Sequence, residues 1–203
     1  ALQFIEARVE AGAAGCRLGG WMALVRKCNT LLYLGRVREA CAMFPRGPIA
    51  IFWSRHLIGE VFHQNYAFHR ARNAAALYWC ERRPELRREV RGWSRGAAAA
   101  PRMLRALFSL FEASVARADG RDRDCRLLLE TAIRDFDADG GEHAASCARY
   151  RLAQLDRSPQ QLSTAGAWFE ARGVRDPERW VSLCVPGAPG WIPPDRAIDQ
   201  GAI

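Results

Sequence analysis

Lysine is nearly missing from this chain: of its 30 basic residues one, Lys27, is lysine and the other 29 are arginine. Long apolar runs are missing too. No stretch reaches the roughly 20 uncharged apolar residues that a membrane span requires, and the longest runs are broken by arginine, which excludes a helical membrane protein. Alternating apolar and polar residues, the mark of a half-buried strand, are nearly absent, which argues against a sheet. No G-x-x-x-x-G-K-[ST], H-R-D or D-F-G occurs, and Gly19 and Gly20 lack the lysine and hydroxyl that would reach phosphate and Mg²⁺. Nucleotide chemistry therefore has no equipment here. Seven cysteines are present, but Cys16, Cys28, Cys41, Cys80, Cys125, Cys147 and Cys184 are scattered singly through helical sequence and odd in number. That pattern excludes a disulfide scaffold and reads as small core residues in a reducing cytoplasm.

What remains is an ordinary globular composition. The 203 residues are 49% hydrophobic and 26% charged, enough to bury a core as one domain or one helical stack. The chain opens on Ala1 in amphipathic sequence, without a charged stretch leading into an apolar one, and reads as a piece of a longer protein. The formal charge is +8. Arginine-for-lysine skew alongside abundant Ala and Gly looks like codon bias, so the excess by itself says little about a polyanion. Its placement says more: residues 46–105 hold twelve basic and four acidic side chains, whereas residues 106–203 hold twelve and fifteen.

Apolar residues recur at three and four, and Gly or Pro punctuates roughly every 15 to 20 residues, which is helix–turn spacing. Trp21, Leu24, Val25, Cys28, Leu31 and Leu32 form one face ending near Gly35. Helices are then expected over residues 36–44, 49–62, 66–80, from Pro84 onward, 101–118, 122–136, 143–155, 158–172 and 177–184. Pro84 suits a first turn, where a missing N–H costs nothing, and Asp122 suits a helix cap. The PGAPGWIPP run after Val185 cannot be helical and reads as an extended tail over residues 185–203, leaving Trp191 exposed or folded back. The fold class is thus all-α, with antiparallel hairpins stacked as a degenerate tetratricopeptide-like α-solenoid over residues 1–184. That repeat places a turn glycine, a small residue five on, a bulky residue four later and a small one three after that. Gly35, Ala40 and Phe44 meet three of these places, and Gly120, Cys125, Leu129 and Ala132 meet all four.

Candidate chemical sites fail on spacing or context. His56, His63 and His69, even with Cys80, lack the i, i+4 or C-x₂-C spacing of zinc ligands. Asp135, Asp137 and Asp139 begin like a calcium loop with Gly140 at the sixth position, yet the twelfth is Ser146 and Glu142 does not replace it. Gly92–Gly96 spells G-x-S-x-G around Ser94, but the preceding ELRREVR is charged and helix-like instead of a buried strand, and nothing marks His143 as a base. Gly92 reads as a break ending that helix. No catalytic, cofactor or metal residues are therefore assigned. Trp21, Trp53, Trp79, Trp168 and Trp180 read as core. The one surface candidate is an arginine stripe, Arg82, Arg83, Arg87, Arg88, Arg91 and Arg95, which could meet an acidic protein surface or phosphate, with Glu85 and Glu89 able to neutralise part of it.

Residues 99–187 carry a further likeness. FDADGGEHAASCARYRLAQL, the W-x₄-G-V-x-D-P-E-R segment from Trp168 to Arg179, and the terminal Pro186 and Gly187 resemble the C-terminal helical region of large bacterial serine/threonine protein kinases, in which a kinase domain and an AAA/STAND-type ATPase precede tetratricopeptide-like helices. The resemblance covers about half of the chain. It implies a non-catalytic, cytoplasmic interaction or sensor module working in signal transduction, with a protein or another domain of the same chain as partner and without a cofactor. Two alternatives are the sensory arm of a STAND-type transcriptional regulator and a nucleic-acid-binding helical domain using the arginine stripe; nucleic acid is the disfavoured partner.

Overall fold

The computed structural model describes residues 17–44 and 60–192. Within them the chain is all-helical. The elements are α1 (Arg17–Tyr33), α2 (Val37–Ala42), α3 (Glu60–Glu81), α4 (Pro84–Gly96), α5 (Arg102–Ala118), α6 (Asp122–Ala138), α7 (Glu142–Asp156), α8 (Pro159–Glu170), α9 (Pro177–Val181) and a 3₁₀ turn at Pro189–Trp191. No strand occurs among the described residues, and none of their helices is long and apolar enough to cross a membrane. Most of the helix expected over residues 49–62 lies outside the described residues, as do Trp53, His56 and the end of the chain beyond Ile192.

Short turns force neighbouring helices antiparallel, and consecutive helices pack on one another. The turns share one chemistry. After α1, α5, α6 and α8 the chain passes through a glycine in the left-handed region, at Gly35, Gly120, Gly140 and Gly173. The next residue's N–H then reaches back five positions: Arg36 to Leu31 at 2.8 Å, Arg121 to Ala116 at 2.9 Å, Gly141 to Phe136 at 2.7 Å and Val174 to Phe169 at 3.1 Å. This six-to-one bond satisfies a carbonyl that the helix end would otherwise leave bare. Helix α7 ends the same way, Ser158 reaching Ala153 at 3.1 Å, but with Arg157 in the left-handed position at φ 52°.

Because the turn after α5 consumes Asp119 and Gly120, Arg121 becomes the N-cap of α6, and the expected cap, Asp122, moves into the first helical turn. There its carboxylate accepts from Arg117 at 2.6 Å. At α8 and α9 proline stands at the first helical position, and Ser158 and Asp176 accept from the Gln161 and Arg179 N–H groups.

Helix α3 is the axis of the fold. From Tyr66 to Trp79 nearly every residue is buried, so it is enclosed on all sides rather than along one stripe. One side meets Cys28, Leu31, Ala40 and Phe44 from α1, α2 and the turn after it. The other joins the larger core built from Leu86, Val90, Phe108, Phe111, Leu129, Phe136 and Phe169.

The proline- and glycine-rich segment after α9 returns to this core. Val185 and Trp191 are fully buried, and the Trp191 ring lies 6.4 Å from that of Trp79. Ser114 donates to the Pro186 carbonyl at 2.5 Å and Arg117 to the Trp191 carbonyl at 3.1 Å. Two buried guanidiniums flank the indole: Arg151 at 5.3 Å and Arg117 at 6.0 Å from the ring centre. The segment beginning the expected tail thus places Val185, Pro186 and Trp191 in the buried interior, with Pro189 and Gly190 exposed between them, in non-helical backbone apart from the 3₁₀ turn.

Candidate functional site

Among the described residues one group of three side chains with metal-ligating chemistry converges: His143, Cys147 and Cys184, one ligand atom from each within 4.8 Å of the others. His143 and Cys147 are four apart on α7, so the helix itself places both on one face. Cys184 arrives from the turn after α9, where the Cys184 N–H donates to the Val181 carbonyl at 2.9 Å. That turn is held against α7 by Arg151, which donates to the Val185 carbonyl at 3.0 and 3.1 Å and to Ser182 Oγ at 2.7 Å.

The group runs from the surface inward. His143 is exposed, Cys184 is half-buried and Cys147 is buried. The imidazole stands among the rings of Trp168, Phe169 and Trp180, with centres 6.1 to 6.5 Å away, and its Nε2 accepts the Trp180 indole N–H at 2.7 Å. Trp180, expected in the core, is instead among the exposed large side chains. The hydrogen bond from the Cys147 thiol pulls the Cys184 thiol down to about 5 against its burial, and the bond to His143 acts in the same direction. The same two interactions raise the Cys147 thiol and the His143 imidazole.

Of the histidines weighed from the sequence, His63 and His69 do not form such a site, and His56 lies outside the described residues. His69 is enclosed by Phe44, Phe68 and Trp21, and burial pushes it down to about 3, so it is a neutral core ring. His63 lies against Trp93, and Cys80 is exposed. The sequence signal for the real cluster was the H-x₃-C pair at 143 and 147, the i, i+4 spacing that zinc ligands favour. It was masked because the third member lies 37 residues beyond Cys147 with no motif around it.

The acidic run is dispersed as well, with Asp137 paired to Arg149 at 2.6 Å and Asp139 to Arg102 at 3.3 Å. Gly92 does not end its helix: α4 continues through it to Gly96, and Ser94 Oγ donates to the Val90 carbonyl at 3.1 Å, so no nucleophile turn exists there.

The arginine stripe divides in two. Arg82 lies over the Tyr78 and Trp79 rings at 5.6 Å from each, and Arg87 faces Asp119 at 3.5 Å, both half-buried. Arg83 pairs with Glu81 at 2.9 Å. Arg88, Arg91 and Arg95 remain exposed on the outer face of α4, opposite buried Leu86 and Val90. Glu89 turns inward to pair with buried Arg70. Glu85, 3.8 Å from Arg88, pairs with this outer group.

The chain matches no protein-family model, no curated protein and no solved structure.

Proposed function

We propose that this chain is a non-catalytic helical-repeat module that binds a protein partner, either another domain of the same polypeptide or a separate protein, through the outer face of α4. The degenerate tetratricopeptide-like stacking and the place in a serine/threonine-kinase-like signalling protein belong to this reading. One observation carries it: four helices end on a left-handed glycine with the same backbone bond, and three of these turns are followed by the same local packing. The residue five beyond the turn glycine is small and wholly buried in three of them, namely Ala40, Cys125 and Ala145. Small residues at that place let adjacent helices approach closely, and stacked hairpins of this kind present extended surfaces. On that surface Arg88, Arg91 and Arg95 project from one side of a helix whose other side is core. A cationic face of this kind suits an acidic protein surface.

The test is retention of a partner by the purified 203-residue chain after cross-linking in its native cell extract, compared with Arg88→Glu/Arg91→Glu/Arg95→Glu. A discrete protein held by the first and lost by the triple variant, with helical content and melting temperature unchanged, is the expected result. Equal retention by both, or none above an inert helical control, would overturn the reading.

A further inference from the structure

The His143, Cys147 and Cys184 cluster has no part in that interaction surface. Its composition is soft: two sulfurs and one imidazole, with no carboxylate among the three. Such a set selects zinc-type or thiophilic ions over magnesium or calcium, which take oxygen ligands. Its size is also close to what a metal needs. Zinc–sulfur bonds of about 2.3 Å and zinc–nitrogen bonds of about 2.0 Å at tetrahedral angles put ligand atoms roughly 3.5 to 3.8 Å apart. Atoms already within 4.8 Å of one another reach this by closing at most about 1.3 Å. Two of the three stand on a rigid helix, and the third is on a turn pinned to that helix by Arg151.

We propose that His143, Cys147 and Cys184 form a binding site for a tetrahedral divalent metal ion of the zinc class, with water as the fourth ligand. Two carboxylates, Glu142 of α7 and Glu178 of α9, are engaged elsewhere: Glu142 accepts from Trp168 and Arg172, and Glu178 accepts from Gln154 and the Gly190 N–H. The exposed imidazole gives the ion access from solvent, and the buried Cys147 shields its inner side. By joining Cys184 to α7, the ion fastens the segment that carries Val185 and Trp191 onto the core.

Trp180 gives this site a signature that a plain thiol pair would lack. A neutral imidazole has one N–H and one free lone pair, and the Trp180 indole N–H now uses that lone pair at Nε2. A metal takes the lone pair at whichever nitrogen it binds, so the indole loses its acceptor. Trp180→Phe removes this competitor and strengthens metal binding several-fold.

The experiment uses the reduced 203-residue chain titrated with Co²⁺ and then Zn²⁺. Expected are the intense visible absorption of tetrahedral cobalt and a thiolate charge-transfer band, both bleached by one equivalent of Zn²⁺. Both bands are lost in His143→Gln and in Cys184→Ser, and Trp180→Phe shifts the cobalt titration to lower concentration. Zn²⁺ also raises the melting temperature and protects Cys147 and Cys184 from iodoacetamide. Because His143 is exposed, His143→Gln keeps its helical content and the comparison stands even where a cysteine variant unfolds. Absence of tetrahedral bands, their persistence in Cys184→Ser, or equal alkylation with and without Zn²⁺ overturns the proposal. So does a Cys147–Cys184 disulfide that peroxide forms equally well in the presence of Zn²⁺.

Discussion

His69 shows how far a single side chain can depart from its reading in isolation. Taken as a polar or metal-binding group it would titrate near neutrality; stacked on Phe44 with ring centres 5.2 Å apart, and with its Nδ1 unpartnered, it stays neutral to about 3. In the unfolded chain the same ring protonates below its ordinary value of 6.5. The unfolded state therefore holds more protons between these limits, and the fold loses stability as pH falls from 6.5 toward 3. Between pH 7 and pH 5 this group alone should cost about 2 kcal/mol. Urea denaturation at the two pH values measures it, and His69→Phe should shrink the difference by about that amount. Arg157 offers an opposite case. It is exposed and sits where α1, α5, α6 and α8 place glycine, so Arg157→Gly should raise stability by about 0.5 to 1 kcal/mol through relief of left-handed strain. A loss of stability on that change would show that the arginine side chain contributes something its exposure does not suggest.

At the scale of elements, most of the helices could be read from the sequence. The three-and-four period marks each apolar face, and Gly35, Gly120 and Gly140 mark turns because only a residue without Cβ enters that backbone region cheaply. The turn at Arg157 has no such mark and was read from period alone. The return of residues 185–192 was not legible, since Pro and Gly report what the backbone cannot do and say nothing about where it docks. Gly187 carries the hidden instruction: a Cβ there would lie 2.1 Å from the Trp191 ring. Gly187→Ala should therefore displace that ring, and Trp191→Ala should empty its site at a cost of about 3 to 5 kcal/mol. Chemical denaturation of both variants checks this, and a neutral Gly187→Ala would mean that the segment has another way to seat its indole.

Over the whole molecule, the least legible feature is what the arginines do. Their number suggested a genomic habit and a charged exterior, yet Arg70, Arg72, Arg117 and Arg151 are buried. Arg151 shows why a sequence hides this. Its partners are the Val185 carbonyl, Ser182, Gln154 and Glu178, gathered from three elements with no common spacing. The candidate site was hidden for the same reason, its third sulfur being brought to α7 by packing and not by a local motif. Arg117 and Ser114 bond to backbone 74 and 72 residues further along the chain. Hairpins stacked only on their neighbours can fray from an end one at a time. Here residues 185–191 are stitched across α5 and α7, so release of that segment and loss of the middle helices are linked events. Amide exchange of α5, α6 and α7 should accordingly follow one global opening, with the last hairpin as protected as the centre.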